Sequence, residues 1–521
     1  MNERPRIAKT YPAITKNLKA STAVAILVCL ASGVSELAMA QQAGPGGEAD
    51  VPAFAPGMIK HMQTMRRFRD ADRGVQPAPA VIPRFEIDQD PSGAIATFQP
   101  GVATFPFNNA FFQNLGTNGR TCFTCHQPQS AWTVSAADVA ARFKASAGID
   151  PIFRLVDGAT CPSADVSTLA AKRRAYALLI DKGLIRIGLP MPAGVQFQVV
   201  SVNDPYDCTT NPTTGLTSPT SGIVSMYRRP LPSTNLGFLS TIMWDGREPT
   251  LASQAKDATL GHAQADAAPS DAQQAQIVAF ESGIFTAQEI DRKAGALRSD
   301  NATGGAVALS LQLSNFFIGV NDPLGQNPSN VPFNPNIFDL FKPWLGLGGS
   351  GGDTRQRLSI ARGEEIFNTT KINITGVGGL NDALNTASIP GFCGTCHDTP
   401  NVGNHSVKAP LNIGIADAGA KSPPALDISG LPVFTLRCNA GALAGNIFTV
   451  TDPGRALITG NCADIGKVKG PILRGLAARA PYFHNGSAST LLDVVNFYDQ
   501  RFGIGFTVEQ KSDLVNFLNS L

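Results

Sequence analysis

Hydrophobic positions recur with helical spacing in several separate stretches of the chain. Ala136–Ser146, Ser167–Lys182, Thr250–Ala258, Asp271–Ser282 and Ala287–Leu297 predict helices in the first part. Thr354–Phe367, Leu491–Tyr498 and Val508–Leu521 predict helices in the last part. Between them, Asn203–Ser225 is rich in Thr, Ser, Pro and Gly and reads as loop. Leu345–Asp353 (LGLGGSGGD) reads as a linker. Helices outnumber plausible strands, so the expected fold class is mainly α, with long irregular insertions. No tandem repeat is evident beyond one recurring motif.

The N-terminus carries a different pattern. Lys9, Lys16 and Lys19 precede an apolar run, Thr22–Ala31, which is short for a bilayer span. Ala38-Met39-Ala40 then offers a small-x-small cleavage pattern before Gln41. This reads as a signal peptide over 1–40, with an uncleaved anchor as the alternative. Export to the periplasm follows, and no later stretch is apolar enough to span a membrane. Residues 41–100 read as an N-terminal arm, containing one basic amphipathic piece, Met58–Arg69.

Length and composition narrow the class. The chain has 521 residues, more than one core usually serves. Hydrophobic residues make up 43% and charged residues 16%, which fits a folded protein. A net charge of +2 gives no electrostatic case for nucleic acid.

Nine cysteines are present, and Cys29 would leave with the signal. Cys161, Cys208, Cys438 and Cys462 are isolated, and in an oxidising compartment such residues tend to pair. Three connectivities are open. Cys161–Cys208 with Cys438–Cys462 is favoured, because each bond then closes a loop within one half of the chain. Free buried thiols are the alternative.

The other four cysteines carry the chemistry. Cys122-Phe-Thr-Cys125-His126 and Cys393-Gly-Thr-Cys396-His397 are two C-x-x-C-H motifs. Two thiols at this spacing add to the vinyl groups of one haem, and the following His becomes a proximal iron ligand. A C-x-x-C alone could be a redox pair or half a zinc site. The added His, the export signal and the repetition speak against both. Two c-type haem domains follow, over 101–345 and 354–521.

The distal ligands are less constrained. His61, His262, His405 and His484 are the remaining histidines, and the last Met is Met243. A His/Met haem in the C-terminal domain would need a Met from the N-terminal half. Met191 and Met226 are candidates from an insertion loop.

Three further segments complete the pattern. They are Trp244-Asp-Gly-Arg247 with Thr250-Leu251 and Gln254-Ala255, then Arg479 to Ser487 (RAPYFHNGS), then Thr490-Leu491 through Val494-Val495 to Tyr498. With two C-x-x-C-H motifs in this order, the chain resembles the bacterial diheme cytochrome c peroxidase and MauG family. The likeness runs discontinuously from about Asn118 to the C-terminus. Val134–Pro230 and Gly261–Trp344 read as insertions.

The resemblance implies an oxidoreductase that reacts with hydrogen peroxide at the His126 haem. It implies an inter-haem electron relay at Trp244 and a distal-pocket role for Gln254. The family's distal Glu falls at Gln264 here, and an amide cannot shuttle protons, so His262 becomes the expected acid/base. The second haem's distal ligand falls at Tyr498, as in the MauG type, and the missing Met agrees. A calcium ion held by the carbonyls of Arg479 and Pro481 is also implied. His484 is expected beside the second haem without ligating it. His405 is expected either at a haem propionate or on the surface. The implied reductant is a small periplasmic cytochrome or cupredoxin, or else an organic or protein substrate, and a homodimer is possible in this family. Two competing readings stand beside this one: MauG-like or oxygenase-type oxidation of a specific organic or protein substrate, and a pure electron-transfer diheme cytochrome.

Overall fold

The computed structural model describes residues 78–208, 216–218 and 222–521. The signal segment, most of the arm, His61 and Met58–Arg69 lie outside the described residues.

Ten α-helices are present among the described residues. They are α1 (Ala136–Ser146), α2 (Leu169–Ala175), α3 (Ala177–Lys182), α4 (Leu251–Gly261), α5 (Asp271–Gly283), α6 (Ala306–Leu311), α7 (Gly352–Thr369), α8 (Ala456–Thr459), α9 (Leu491–Phe502) and α10 (Val508–Asn519). Five of the longer ones, though not α7, start where the sequence supplies a side-chain cap. Ser135, Thr250, Ser270, Thr490 and Thr507 each accept a hydrogen bond from the backbone N–H three residues on.

The strands overturn the mainly-α expectation. Twelve run as β1 (Phe85–Gln89), β2 (Gly93–Phe98), β3 (Ile185–Pro190), β4 (Phe197–Asn203), β5 (Leu216–Ser218), β6 (Ile223–Arg228), β7 (Phe285–Asp291), β8 (Gly295–Ala296), β9 (Ile372–Thr375), β10 (Ser388–Gly391), β11 (Val433–Cys438) and β12 (Ile447–Val450). About 32% of the chain is helical and 16% is strand. The strands form four antiparallel sheets, ordered β1-β2-β7-β8, β3-β6-β5, β12-β11-β4 and β10-β9.

Much of this strand lies where the sequence was read as insertion or loop. The stretch FQVVSVN of β4 is rich in β-branched residues, which fit a pleated surface. Its partner β11 is more than two hundred residues away, so local periodicity carried no sign of the pairing. Residues 223–225 leave the expected loop to begin β6, which pairs along β3.

Ala287–Leu297, expected as a helix, is β7 turning into β8. Its Ala, Gln and Glu are good helix formers. Pairing with β2 overrides them, and almost every residue of β7 is buried. Asp291 ends the strand by accepting from the N–H groups of Lys293 and Ala294 at 2.8 and 2.6 Å.

Both favoured disulfides are present, Cys161–Cys208 and Cys438–Cys462. In the last third, α7 lies against α10 over a core of Phe338, Phe341, Trp344, Phe367 and Phe517. A Cβ at Gly363 would collide with the Asp513 carbonyl, so the close approach of these helices needs glycine there. All described residues belong to one compact unit, Ala71–Leu521.

Candidate functional site

Each C-x-x-C-H motif forms a tight 3-10 turn, Cys122–Thr124 and Cys393–Thr395. In each, a Thr hydroxyl accepts the N–H three residues earlier, at 3.0 Å. The turn brings the His ring over the cysteines. His126 Nδ1 lies 2.8 Å from the Trp132 carbonyl, and His397 Nδ1 lies 2.7 Å from the Gly403 carbonyl. A carbonyl partner makes Nδ1 the protonated nitrogen and leaves the Nε2 lone pair free to bind a metal. Burial pushes both imidazoles down to about 4, so each is held neutral. The four cysteines of these motifs are unbridged.

The first motif opens into a cavity of about 170 Å³. Cys122, Cys125, His126, Trp244, Gln254 and His262 all line it. Sequence positions spread over 140 residues therefore meet in one place. His262 follows the last turn of α4, and its Nδ1 lies 2.6 Å from Asp157 Oδ2. The other oxygen of Asp157 accepts from Arg120 Nη1 at 2.6 Å. Burial opposes ionisation of Asp157, yet Arg120 and His262 together hold its carboxyl below the usual range. Gln264, the alternative position for a distal acid, does not line the cavity, and its side-chain oxygen accepts from Asn118.

The second motif opens into a cavity of about 200 Å³. Cys393, Cys396, His397 and Tyr498 line it among mainly apolar side chains. The Tyr498 and His397 rings meet edge-to-face with centroids 6.4 Å apart. No methionine lines this cavity, and Met243 lines the first one instead. Met226 is fully buried in a separate core with Met191 packed against it, so neither reaches a cavity.

The two distal walls are built to one plan that the sequence reading missed. Ile242 pairs with Glu248 across a tight turn before α4, and Tyr482 pairs with Ala488 across the same turn before α9. Met243 and Phe483 both have positive φ, 64° and 65°. The glycines three residues later match too, at 68° and 65°. Thr250 and Thr490 then cap their helices through capping boxes. Every element is offset by 240 positions. Leu251, Gln254, Ala255, Ala258 and His262 line the first cavity, and Leu491, Val494, Val495, Tyr498 and Phe502 line the second in the same register. In the letters the repeat survives only as G-x-x-x-T-L, Gly246 to Leu251 and Gly486 to Leu491, too short to stand out.

A shared wall separates the cavities. Trp244, Arg229, Lys469 and Arg479 line both. Trp244 donates from Nε1 to the Arg229 carbonyl at 2.8 Å and meets the His484 ring edge-on at 6.1 Å. Burial lowers the pKa of Arg229, Arg474 and Arg479, and brings Lys469 down to about 7. Among the described residues their polar partners are carbonyls, and Arg474 Nη1 and Arg479 Nε have none. Buried cations without carboxylates call for an anionic guest. A haem held in each cavity would supply negative charge there, and the paired thiols, the free Nε2 atoms and the cationic wall fit such a group.

Other residues are placed as follows. His484 is fully buried on the second cavity, with Nε2 3.6 Å from Asp452. Asp452 and Asp245 clamp Arg228 in a buried cluster that ties the Trp244 turn to the chain near α8. His405 is buried, not on the surface, with Nδ1 2.6 Å from Asp398. Glu281 of α5 lines the first cavity, and burial raises its carboxyl to about 8. The Arg479 carbonyl accepts from the Arg229 guanidinium at 2.8 Å, so the geometry lends calcium no support there. No group of three or more His, Cys, Asp or Glu suited to a metal ion occurs among the described residues.

The comparisons with known proteins agree with this class of site. No protein-family model matches the chain. Cytochrome-c peroxidase IdrP2 of Denitromonas iodatirespirans is 34% identical over 139 residues, 25% of this chain and 36% of that protein. Cytochrome-c peroxidase IdrP1 of Pseudomonas sp. (strain SCT) is 36% identical over 81 residues, 13% of this chain and 21% of its own length. The matches thus span about a third or less of the curated relatives. A MauG-like protein associated with microbial copper homeostasis aligns over 79% of this chain and 87% of its own, with TM-score 0.33 and 16% identity, too low for any structural argument. Over these segments the chain is similar to cytochrome-c peroxidases. Its named relatives are cytochrome-c peroxidases, and so oxidoreductases.

Proposed function

We propose that this protein is a periplasmic diheme c-type cytochrome that reduces hydrogen peroxide in its first cavity and passes electrons there from its second. The observation that carries this reading is the contrast between two cavities of one plan. The first presents Gln254 and His262, whereas the second presents Val494 and Phe502 at the same positions.

Cys122, Cys125 and His126 would hold one haem, and Cys393, Cys396, His397 and Tyr498 the other. The haems supply the redox chemistry, delivering the two electrons that turn peroxide and two protons into two waters. The protein supplies position and protons. The Gln254 amide donates to peroxide and steadies the charge that develops on its oxygens. His262 Nε2 takes the proton from one oxygen and returns it to the other, while Asp157 fixes the ring through Nδ1. Trp244 lines both cavities and offers an aromatic route between them. The apolar lining of the second cavity keeps water and peroxide away from the haem that stores electrons. A small periplasmic cytochrome or cupredoxin is the proposed reductant. The export signal expected from the sequence of residues 1–40 supports the location, and no helix among the described residues is long and apolar enough to cross a membrane.

Tyr498 supports a second reading. The resemblance assigns a Tyr at this position to MauG-type enzymes, which oxidise a specific organic or protein substrate in place of a cytochrome. One experiment addresses both. Oxidised protein with both haems attached is mixed with one equivalent of peroxide in a stopped-flow spectrometer, without reductant. A rapid spectral change supports the MauG-like reading. A change only after one haem is reduced supports the peroxidase reading. No reaction in either state rejects both and leaves an electron carrier. His262→Ala should slow the reaction by about 100-fold or more.

A further inference from the structure

We infer that position 258 decides which of the two cavities admits an external iron ligand. The inference rests on the reading that each cavity holds a haem. The helices α4 and α9 begin from matched turns and matched Thr caps, and they present residues 1, 4, 5, 8 and 12 after the cap to their cavities. That spacing is one stripe of an α-helix. Eight residues past the cap, α9 carries Tyr498 and α4 carries Ala258. The phenol of Tyr498 reaches across its cavity toward His397. At the matched position Ala258 presents only a methyl to the cavity that His126 also lines.

The other differences along the stripe follow the same logic. Where the ligand-bearing helix has Val494 and Phe502, the open helix has Gln254 and His262. A small residue at 258 makes room for a guest, and polar residues on either side handle it. The active cavity is thus distinguished by one missing side chain as much as by the catalytic residues present. A side chain long enough to ligate from position 258 should close it.

The test uses the full chain with both haems attached, the count being checked by pyridine haemochrome absorbance. Ala258→Tyr and Ala258→Met are compared with wild type by electron paramagnetic resonance and by cyanide titration. Both substitutions should remove the high-spin signal of the first haem. If the new side chain occupies the iron 99% of the time, the apparent cyanide Kd rises about 100-fold. Retention of the high-spin signal and of wild-type cyanide affinity in two-haem protein would overturn the inference. If Ala258→Tyr is not recovered with two haems, Ala258→Met decides alone, because Met is unbranched and adapts to irregular space. Tyr498→Phe is run in parallel. An unaltered second-haem spectrum in that variant refutes ligation by Tyr498, and the result at position 258 is read independently of it.

Discussion

Replacing Asp157 by Asn tests whether His262 acts as a positioned acid/base or only lines the cavity. Asp157 holds His262 Nδ1 at 2.6 Å through one oxygen and Arg120 Nη1 at 2.6 Å through the other. An Asn can keep a hydrogen bond to Arg120. It loses the negative charge that stabilises His262 when Nε2 accepts a proton. A hydrogen bond to a charged group contributes about 1.5–3 kcal/mol, which corresponds to a slowing of roughly 10- to 160-fold. The assay is the second-order rate of the peroxide reaction by stopped flow, in the wild type, D157N, H262A and the double variant. Residues that act as one unit are not additive. The double variant should therefore react no more slowly than H262A alone. Thermal melting of D157N controls for loss of the buried ion pair with Arg120. A wild-type rate in D157N, or losses that multiply in the double variant, would refute the positioning argument.

Three further outcomes are expected. Tyr498→Phe should change the absorption of the C-terminal haem alone, and an unchanged spectrum removes Tyr498 as its ligand. Arg228→Met should cost about 3–5 kcal/mol, because Asp245 and Asp452 lose their shared buried cation, and a melting temperature equal to wild type would contradict this. Burial raises the Glu364 carboxyl from 4.5 to about 7, against the pull of the Leu340 and Phe341 N–H groups. Between those values the folded chain keeps a proton that the unfolded chain has lost. Stability should therefore fall as pH rises from about 4.5 to about 7, by about 3 kcal/mol in all. Glu364→Gln should flatten this fall in urea unfolding at pH 5 and pH 7.5, and an undiminished fall would assign it elsewhere.

The C-x-x-C-H motifs were legible because their chemistry is local. Five consecutive residues specify a turn, two thiols and a ring, and no distant partner is needed. The helices beginning at Ala136, Leu251, Asp271, Leu491 and Val508 were legible for a similar reason, since cap and periodicity lie within one or two turns. Trp244, Gln254 and Tyr498 were reached through motif resemblance, and His262 by noticing that Gln264 could not move a proton.

The remainder depends on contacts between residues far apart in the chain. β7 carries helix-forming residues and becomes a strand because β2 is there to pair with it. β4 joins β11 from the opposite half of the chain. Asp157 gave no sign in the sequence, since its meaning comes from His262, 105 residues later. The cationic wall is assembled from Arg229, Lys469, Arg474 and Arg479, none of which belongs to a recognisable cluster of charge. The repeat between Thr250 and Thr490 is preserved in backbone turns and caps while its cavity-facing side chains diverged. By itself, the sequence determined the two C-x-x-C-H turns and the helices that flank them, because such motifs and caps act over a few residues. Only the tertiary structure decided which cavity gathers polar residues and which is lined by apolar ones, because that depends on segments that meet only in the folded chain.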